Sequence, residues 1–415
     1  MRNSQTLPSR RGFLVGTGAL LVPRAGAWAA ARNPAEKKTV AAVVTEYRYN
    51  SHADVIVGRL LEGYRPDNVL VEPRTRIVSM YTDQIAAKDL SRGLSAKYGF
   101  PIYPSIEGAL TLGKGGKLAV DAVLLVGEHG QYPTNEKGQK IYPRFELFEA
   151  IIDVYRRGRI APLYTDKHFS YSWLKAKMMY DQAKRLGVPL MAGSSIPVTV
   201  RVPELELPLG CALEHAVIVG YGDFDAYGFH TLEALQYMVE RRRGAETGIA
   251  AVEWLEGDAV WQYRDSEQGR WSAPLLNAAL ARSPKTKPGR PEDNCKHPVA
   301  FLLQYRDGFR AVAYMLNGET QGWMFAGKLK GKAEPVSTHF GLTHPGRPLV
   351  HFDGLVHCIE ELFVTGKPLY PVERTLLTTG ALSFLFESRY QKKRLETPQL
   401  RVEYHAPPHC YFERA

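Results

Sequence analysis

Short apolar runs alternate along the chain with stretches whose apolar positions recur every three or four residues. The run KTVAAVVTE at 38–46 is apolar and rich in β-branched residues, the pattern of a buried strand. In 53–61, Val55, Ile56, Leu60 and Leu61 share one helical face, and Asn50 or Ser51 can cap that helix. The alternation continues with strands at 76–81, 101–103, 121–126, 161–164 and 189–192, and helices at 89–98, 106–112, 143–157 and 173–186. Strands alternating with helices imply right-handed crossovers and a mostly parallel sheet. Residues 38–195 therefore read as an α/β, Rossmann-like doubly wound domain. Ligands of such sheets lie outside the carboxyl ends of the strands. The segments to inspect are 46–54, 81–84, 127–132, 165–168 and 193–195.

Beyond residue 200 the texture changes. A helix is predicted at 232–243, strands at 249–255, 300–305 and 311–316, a surface loop at 282–294, and helices at 355–363 and 373–390. This predicts a C-terminal α+β domain over 196–415, with a large open sheet covered by helices on one side.

The first residues carry a different signal. Ser9-Arg10-Arg11-Gly12-Phe13-Leu14 leads into an apolar run to Val22, then small residues ending in Ala29-Ala30-Ala31. A basic start, a short apolar middle and a small-residue exit make a signal peptide over 1–31. The paired arginines resemble a twin-arginine signal, which predicts a partner in that export machinery and a periplasmic or otherwise exported protein. The apolar run is shorter than the roughly 20 residues a membrane span needs, and no later segment is long and apolar enough for one. The twin-arginine route carries folded proteins, so a cofactor would be acquired before export. Cys211, Cys295, Cys358 and Cys410 are widely spaced and demand no disulfide.

Composition narrows the class. With 415 residues, 45% hydrophobic and 23% charged, the chain is not disordered, collagen-like or coiled-coil. The net charge is +10, from 53 basic and 43 acidic residues. Four of the positive charges precede residue 32, with no acid among them. The mild excess that remains, without basic runs interleaved with aromatics, argues against a nucleic-acid partner.

Two strand ends carry most of the candidate chemistry. Gly127-Glu128-His129-Gly130-Gln131-Tyr132 follows an apolar strand, and Asp166-Lys167-His168 follows another. A Lys beside carboxylates can be tuned as an acid or base. His230 titrates near working pH, and Glu233 lies one helical turn on, on the same face, where it could orient the ring. His129, His168, His230 and Glu233 are an alternative set of ligands for a divalent metal, although these histidines show no H-x-x-x-H or H-E-x-x-H spacing among themselves. Tyrosines near the strand ends suit sugar rings. No Gly-x-Ser-x-Gly elbow points to a serine hydrolase.

Five segments in order resemble the Gfo/Idh/MocA oxidoreductases over about 38–400. They are Val78–Asp83 as a second strand ending in an acid, Val120–Val126 as the strand before the cofactor-facing loop, and Tyr164-Thr165-Asp166-Lys167 where that family has Glu-Lys-Pro. The others are Gly228-Phe229-His230-Thr231-Leu232-Glu233 and Leu362–Pro368. The resemblance implies NAD or NADP, a sugar, glycoside or polyol substrate, and a homo-oligomer paired through the exposed sheet. It implies that Lys167, His230, Asp166 and Glu233 are catalytic, with Lys167 and His230 handling the hydroxyl proton. It implies a cofactor set of Glu46, Arg48, Ser51, His52, Asp83, Gly127, Glu128 and His129, with Asp83 on the adenosine ribose. The glycine-rich dinucleotide motif is missing: Thr45–Asp54 contains no glycine, so a pyrophosphate lacks its usual close approach. Two other readings follow from that gap. One is a metal-dependent lyase, isomerase or hydrolase on the same scaffold, and the other a non-catalytic carbohydrate-binding protein.

Overall fold

The computed structural model describes residues 37–284, 287–342 and 349–414. The predicted signal peptide lies outside them. Lys37–Ala415 forms one compact unit. Its first half runs β1 (Lys38–Val44), α1 (His52–Glu62), β2 (Thr75–Thr82), α2 (Ser91–Tyr98), β3 (Ile102–Tyr103), α3 (Ile106–Thr111), β4 (Ala122–Val126), α4 (Arg144–Tyr155), β5 (Leu163–Asp166), α5 (Trp173–Leu186) and β6 (Leu190–Gly193). The six strands make a parallel sheet in the order β3-β2-β1-β4-β5-β6. The order reverses between β1 and β4, which opens a crevice at their carboxyl ends. Val40–Val44 and Ala122–Val126 are fully buried, as continuous apolar runs covered on both faces must be.

The second half contains β7 (Arg201–Val202), β8 (Leu213–Gly220), α6 (Ala226–Val239), β9 (Ile249–Glu256), α7 (Asp258–Asp265), α8 (Ser272–Leu280), α9 (Pro291–Asn294), β10 (Val299–Tyr305), β11 (Arg310–Met315), β12 (Trp323–Leu329), β13 (Val336–Phe340), α10 (His351–Thr365), α11 (Val372–Gln391) and β14 (Leu395–Glu396). Its eight-stranded sheet has the order β14-β9-β10-β11-β8-β12-β13-β7 and is antiparallel except where β8 pairs with β11. α6 packs between this sheet and α11, and Gly228–Val239 is buried throughout. Its buried polar residues His230, Glu233 and Gln236 are each hydrogen-bonded there.

Two expectations change. Helix α6 begins at Ala226, six residues before the predicted start, so His230 sits within the helix. The sheet is covered on both faces, because α8 packs on β8, β12 and β13 and α7 on β9, burying Val260, Leu275, Leu276 and Leu280. Pro274 hides α8 in the sequence, since proline reads as a breaker yet is tolerated in a first turn. The exposed sheet through which pairing was predicted is thus occupied by the chain's own helices. All four cysteines are unpaired. Among the described residues no helix is long and apolar enough to cross a membrane.

The C-terminal helices return to the first sheet. Thr375 Oγ donates to the Ala192 carbonyl at 2.9 Å, and Phe169 N donates to Thr379 Oγ at 3.2 Å. Arg59 Nε donates to Asp353 at 2.9 Å, and Thr75 Oγ donates to the buried Glu360 at 2.6 Å. Both sheets share one hydrophobic core.

Candidate active site

The crevice at the β1/β4 switch point opens into a cavity of about 580 Å³ between the first sheet and α6. His52, Glu128, His129, Lys167 and His230 line it, with Tyr227 and Trp323 opposite. The last two rings stack at 5.5 Å between centroids, with Trp323 buried behind Tyr227, so that Tyr227 is the aromatic ring of this pair that can meet a ligand.

Lys167 follows β5 with φ 67°, the left-handed region a lysine rarely adopts. Its backbone N donates to the Gly193 carbonyl at 3.1 Å. Gly193 has φ 130°, and a Cβ there would lie 2.6 Å from a Glu233 carboxylate oxygen, so this turn requires glycine. Strain of this kind gathers at functional positions. The turn aims Lys167 Nζ at His230 Nε2, 2.7 Å away, and leaves it 3.7 Å from Glu128. Burial pushes the Glu128 pKa up, but the charges of Lys167 and Arg144 outweigh it and hold the carboxyl below its usual range. Arg144 also forms a salt bridge with Glu128. His230 Nε2 accepts from Lys167, and Nδ1–H donates to Ser194 Oγ at 2.5 Å. Burial, followed by the Lys167 charge, keeps His230 neutral by holding its pKa well below the ordinary value.

A second pair sits beside the first. His52, in the first turn of α1, donates from Nδ1 to the buried carboxylate of Asp166 at 2.7 Å. That bond fixes the tautomer and leaves Nε2 without a protein partner among the described residues. The His52 and His230 rings are 6.4 Å apart and nearly parallel.

The predicted site residues thus divide. Lys167, His230, Asp166, His52, Glu128 and His129 come together. Glu233 does not orient His230, which both Lys167 and Ser194 hold. Its buried carboxylate accepts from Thr378 Oγ at 2.5 Å and from Ser194 N at 3.3 Å. The alternative metal set does not converge either. His168 Nε2 accepts from Arg144 at 3.2 Å and Glu233 faces α11, and among the described residues no group of three His, Cys, Asp or Glu side chains is placed to hold a metal ion. Arg144 and Trp323 carried no signal for the site, whereas Ser194 lies in the strand-end segment 193–195. Arg144 is detectable only through Gly127, where a Cβ would meet its side chain at 2.7 Å.

The dinucleotide seat fails a direct test. Ser51 Oγ accepts from Asp54 N and Arg48 N, both at 3.2 Å, and the Asp54 carboxylate accepts from Asn50 N at 2.9 Å. Glu46 pairs with Arg48 at 2.6 Å. The chain's own side chains fill the position that a pyrophosphate takes at a helix N-terminus, and Glu46 and Asp54 repel it. Asp83 is engaged by Tyr81 OH at 3.0 Å and Tyr132 OH at 2.7 Å. In its usual pose a dinucleotide does not fit this segment.

Asp225, at the mouth of α6, accepts from Lys140 N at 2.8 Å, and burial pushes its pKa up to about 6. Its folded value lies above the unfolded one, so folding takes up a proton between about pH 4 and 6 and stability falls as pH rises through that window. Asp225→Asn keeps an acceptor for Lys140 N. The variant should match the parent near pH 4 and exceed it at pH 8 by up to about 3 kcal/mol, measured by urea denaturation.

No family model matches the chain, and no curated protein matches it. Solved structures do. GenD2 from gentamicin A biosynthesis, in complex with NAD, is 13% identical with a TM-score of 0.55, over 92% of this chain and 99% of that one. An oxidoreductase from Agrobacterium radiobacter, in complex with NAD+, L-tartaric acid and magnesium, is 10% identical with a TM-score of 0.53, over 87% and 98%. Myo-inositol 2-dehydrogenase from Lactobacillus plantarum is 10% identical with a TM-score of 0.52, over 87% and 99%. The fold is the Gfo/Idh/MocA fold. At these identities the likeness extends to architecture and stops there.

Proposed function

We propose that the chain is an exported enzyme of the oxidoreductase kind acting on a hydroxyl of a sugar, glycoside or polyol. The observation that carries this reading is the 2.7 Å contact between Lys167 Nζ and His230 Nε2 at the switch-point crevice. Its support from outside the chain is a fold shared with NAD-bound GenD2 and with a myo-inositol 2-dehydrogenase. Tyr227, backed by Trp323, offers an aromatic ring, and Lys167 offers a fixed N–H donor to the reacting oxygen. Held by neutral His230 and by Glu128, Lys167 is poised to give a hydrogen bond, or a proton, to an oxygen that gains negative charge. Both His230 nitrogens are engaged, so His230 acts by positioning Lys167.

A nicotinamide is the hydride carrier this fold suggests. It would need another phosphate seat than the N-terminus of α1. The twin-arginine segment supports export, with any carrier loaded beforehand. Native mass spectrometry of the exported protein, followed by release of what it holds, tests the reading. A stoichiometric nicotinamide is the expected result. Protein that carries none and binds none when NAD or NADP is added rules out the redox assignment.

A further inference from the structure

We propose that His52, oriented by Asp166, is a second catalytic centre of the crevice, and that with Lys167 it enolises a ketone of the sugar or polyol class without a nicotinamide. The placement of Lys167 rests on the proposed function, but the chemistry goes beyond it. Moving a hydroxyl proton needs one group. The crevice holds two, a base with an open nitrogen and a fixed N–H donor, lining one cavity.

The base side is built from elements distant in sequence. His52 comes from the first turn of α1 and Asp166 from the end of β5, and their 2.7 Å bond leaves only Nε2 of His52 available to the cavity. The donor side is Lys167, held at 2.7 Å by His230, whose ring lies 6.4 Å from that of His52. Phe352 packs edge-on against His52 at 5.1 Å and holds the ring from that side. The N-terminus of α1, where a dinucleotide phosphate would compete for this space, is filled by Ser51 and Asp54. That turn of helix presents a histidine to the cavity where the fold otherwise presents phosphate-binding amides.

The step balances without an oxidant. His52 Nε2 takes the proton from the carbon next to the carbonyl. The C–H electron pair forms the carbon–carbon double bond of the enolate, and the carbonyl π pair moves onto oxygen, where Lys167 donates a hydrogen bond. Return of a proton from His52 to the same carbon restores the ketone, and the proton on His52 exchanges with solvent in between. The net result is hydrogen exchange at that carbon with retention of configuration. The reaction that supplies the substrate is oxidation of a ring or chain hydroxyl, so the two chemistries of the crevice are consecutive.

The test uses the mature chain in D2O with D-fructose, dihydroxyacetone and myo-inosose as separate probes, and proton NMR to follow deuterium entering beside the carbonyl. Uptake well above the buffer rate with at least one ketone is expected, falling about a hundredfold or more in His52→Ala and in Asp166→Asn. Asp166→Asn should also shift the His52 ring nitrogen signals away from the Nδ1–H tautomer, which a purely structural pair would not couple to exchange. No uptake with any of the three ketones overturns the proposal. So does uptake that survives in a folded His52→Ala protein. Nicotinamide content is read by mass spectrometry on the same sample, so loss of the redox reading and loss of this one are separate outcomes.

Discussion

Arg374→Met is expected to destabilise the protein by about 3–5 kcal/mol, the range for breaking a buried ion pair from one side. Arg374 is 1% exposed and sits in the first turn of α11. It donates to both oxygens of Glu240 at the end of α6, from Nε at 2.8 Å and from a terminal nitrogen at 2.6 Å. Tyr404 OH donates to the same carboxylate at 2.9 Å. Removing the guanidinium strands the Glu240 charge in a dry interface, with a single hydroxyl left to satisfy it. The pair itself need not be strongly stabilising, because desolvation offsets most of its attraction. The double variant Arg374→Met/Glu240→Met should therefore recover most of the loss. Urea denaturation of both variants checks this. A single variant within 1 kcal/mol of the parent would mean that water reaches this interface.

Lowering the pH from about 7.5 to 5 is expected to remove about 2 kcal/mol of stability for each histidine buried at the crevice. Burial depresses the pKa of His129 to about 4 and of His351 to about 3, and holds His168 and His230 well below their ordinary value. Each folded value lies below the unfolded one near 6.5. Below that pH the unfolded chain binds protons that the folded chain refuses. The contribution is complete above about pH 6.5 and is lost as pH falls toward the folded value. Asp225 works in the opposite sense in the same window, so the measured slope is a difference. His351→Gln should flatten the profile by about one ring's share. A urea midpoint that stays level between pH 7.5 and 5 would contradict neutral burial of these rings.

The first sheet was legible because its strands are buried on both faces and read as unbroken apolar runs, bounded by caps such as Ser51 and Ser105. The second sheet was harder. Leu213–Gly220 and Trp323–Leu329 lie between irregular loops, and α7 and α8 mix charges, tryptophans and Pro274 in a pattern with weak period. Of the site, the strand-end residues Glu128, His129, Asp166 and Lys167 could be read, since topology alone sends such positions to the crevice. The pairing could not. His52 and Asp166 are 114 positions apart and Lys167 and His230 are 63 apart. Which histidine keeps a free nitrogen depends on contacts such as Ser194 to His230 that leave no trace in spacing. The departure from Gly-x-Gly was visible, but that Ser51 and Asp54 fill the gap was not.

The return of α10 and α11 to the first sheet has a consequence for biogenesis. The threonines that bond to β6 and to the residues after β5, and the acid that receives Thr75, come from the last quarter of the chain. A nascent polypeptide that has emerged only through β6 has made all six parallel strands yet lacks the groups that seal their far side. Native structure therefore waits for α10 and α11 to be made, and synthesis stalled before α11 should yield a species open to protease at the β5 and β6 ends.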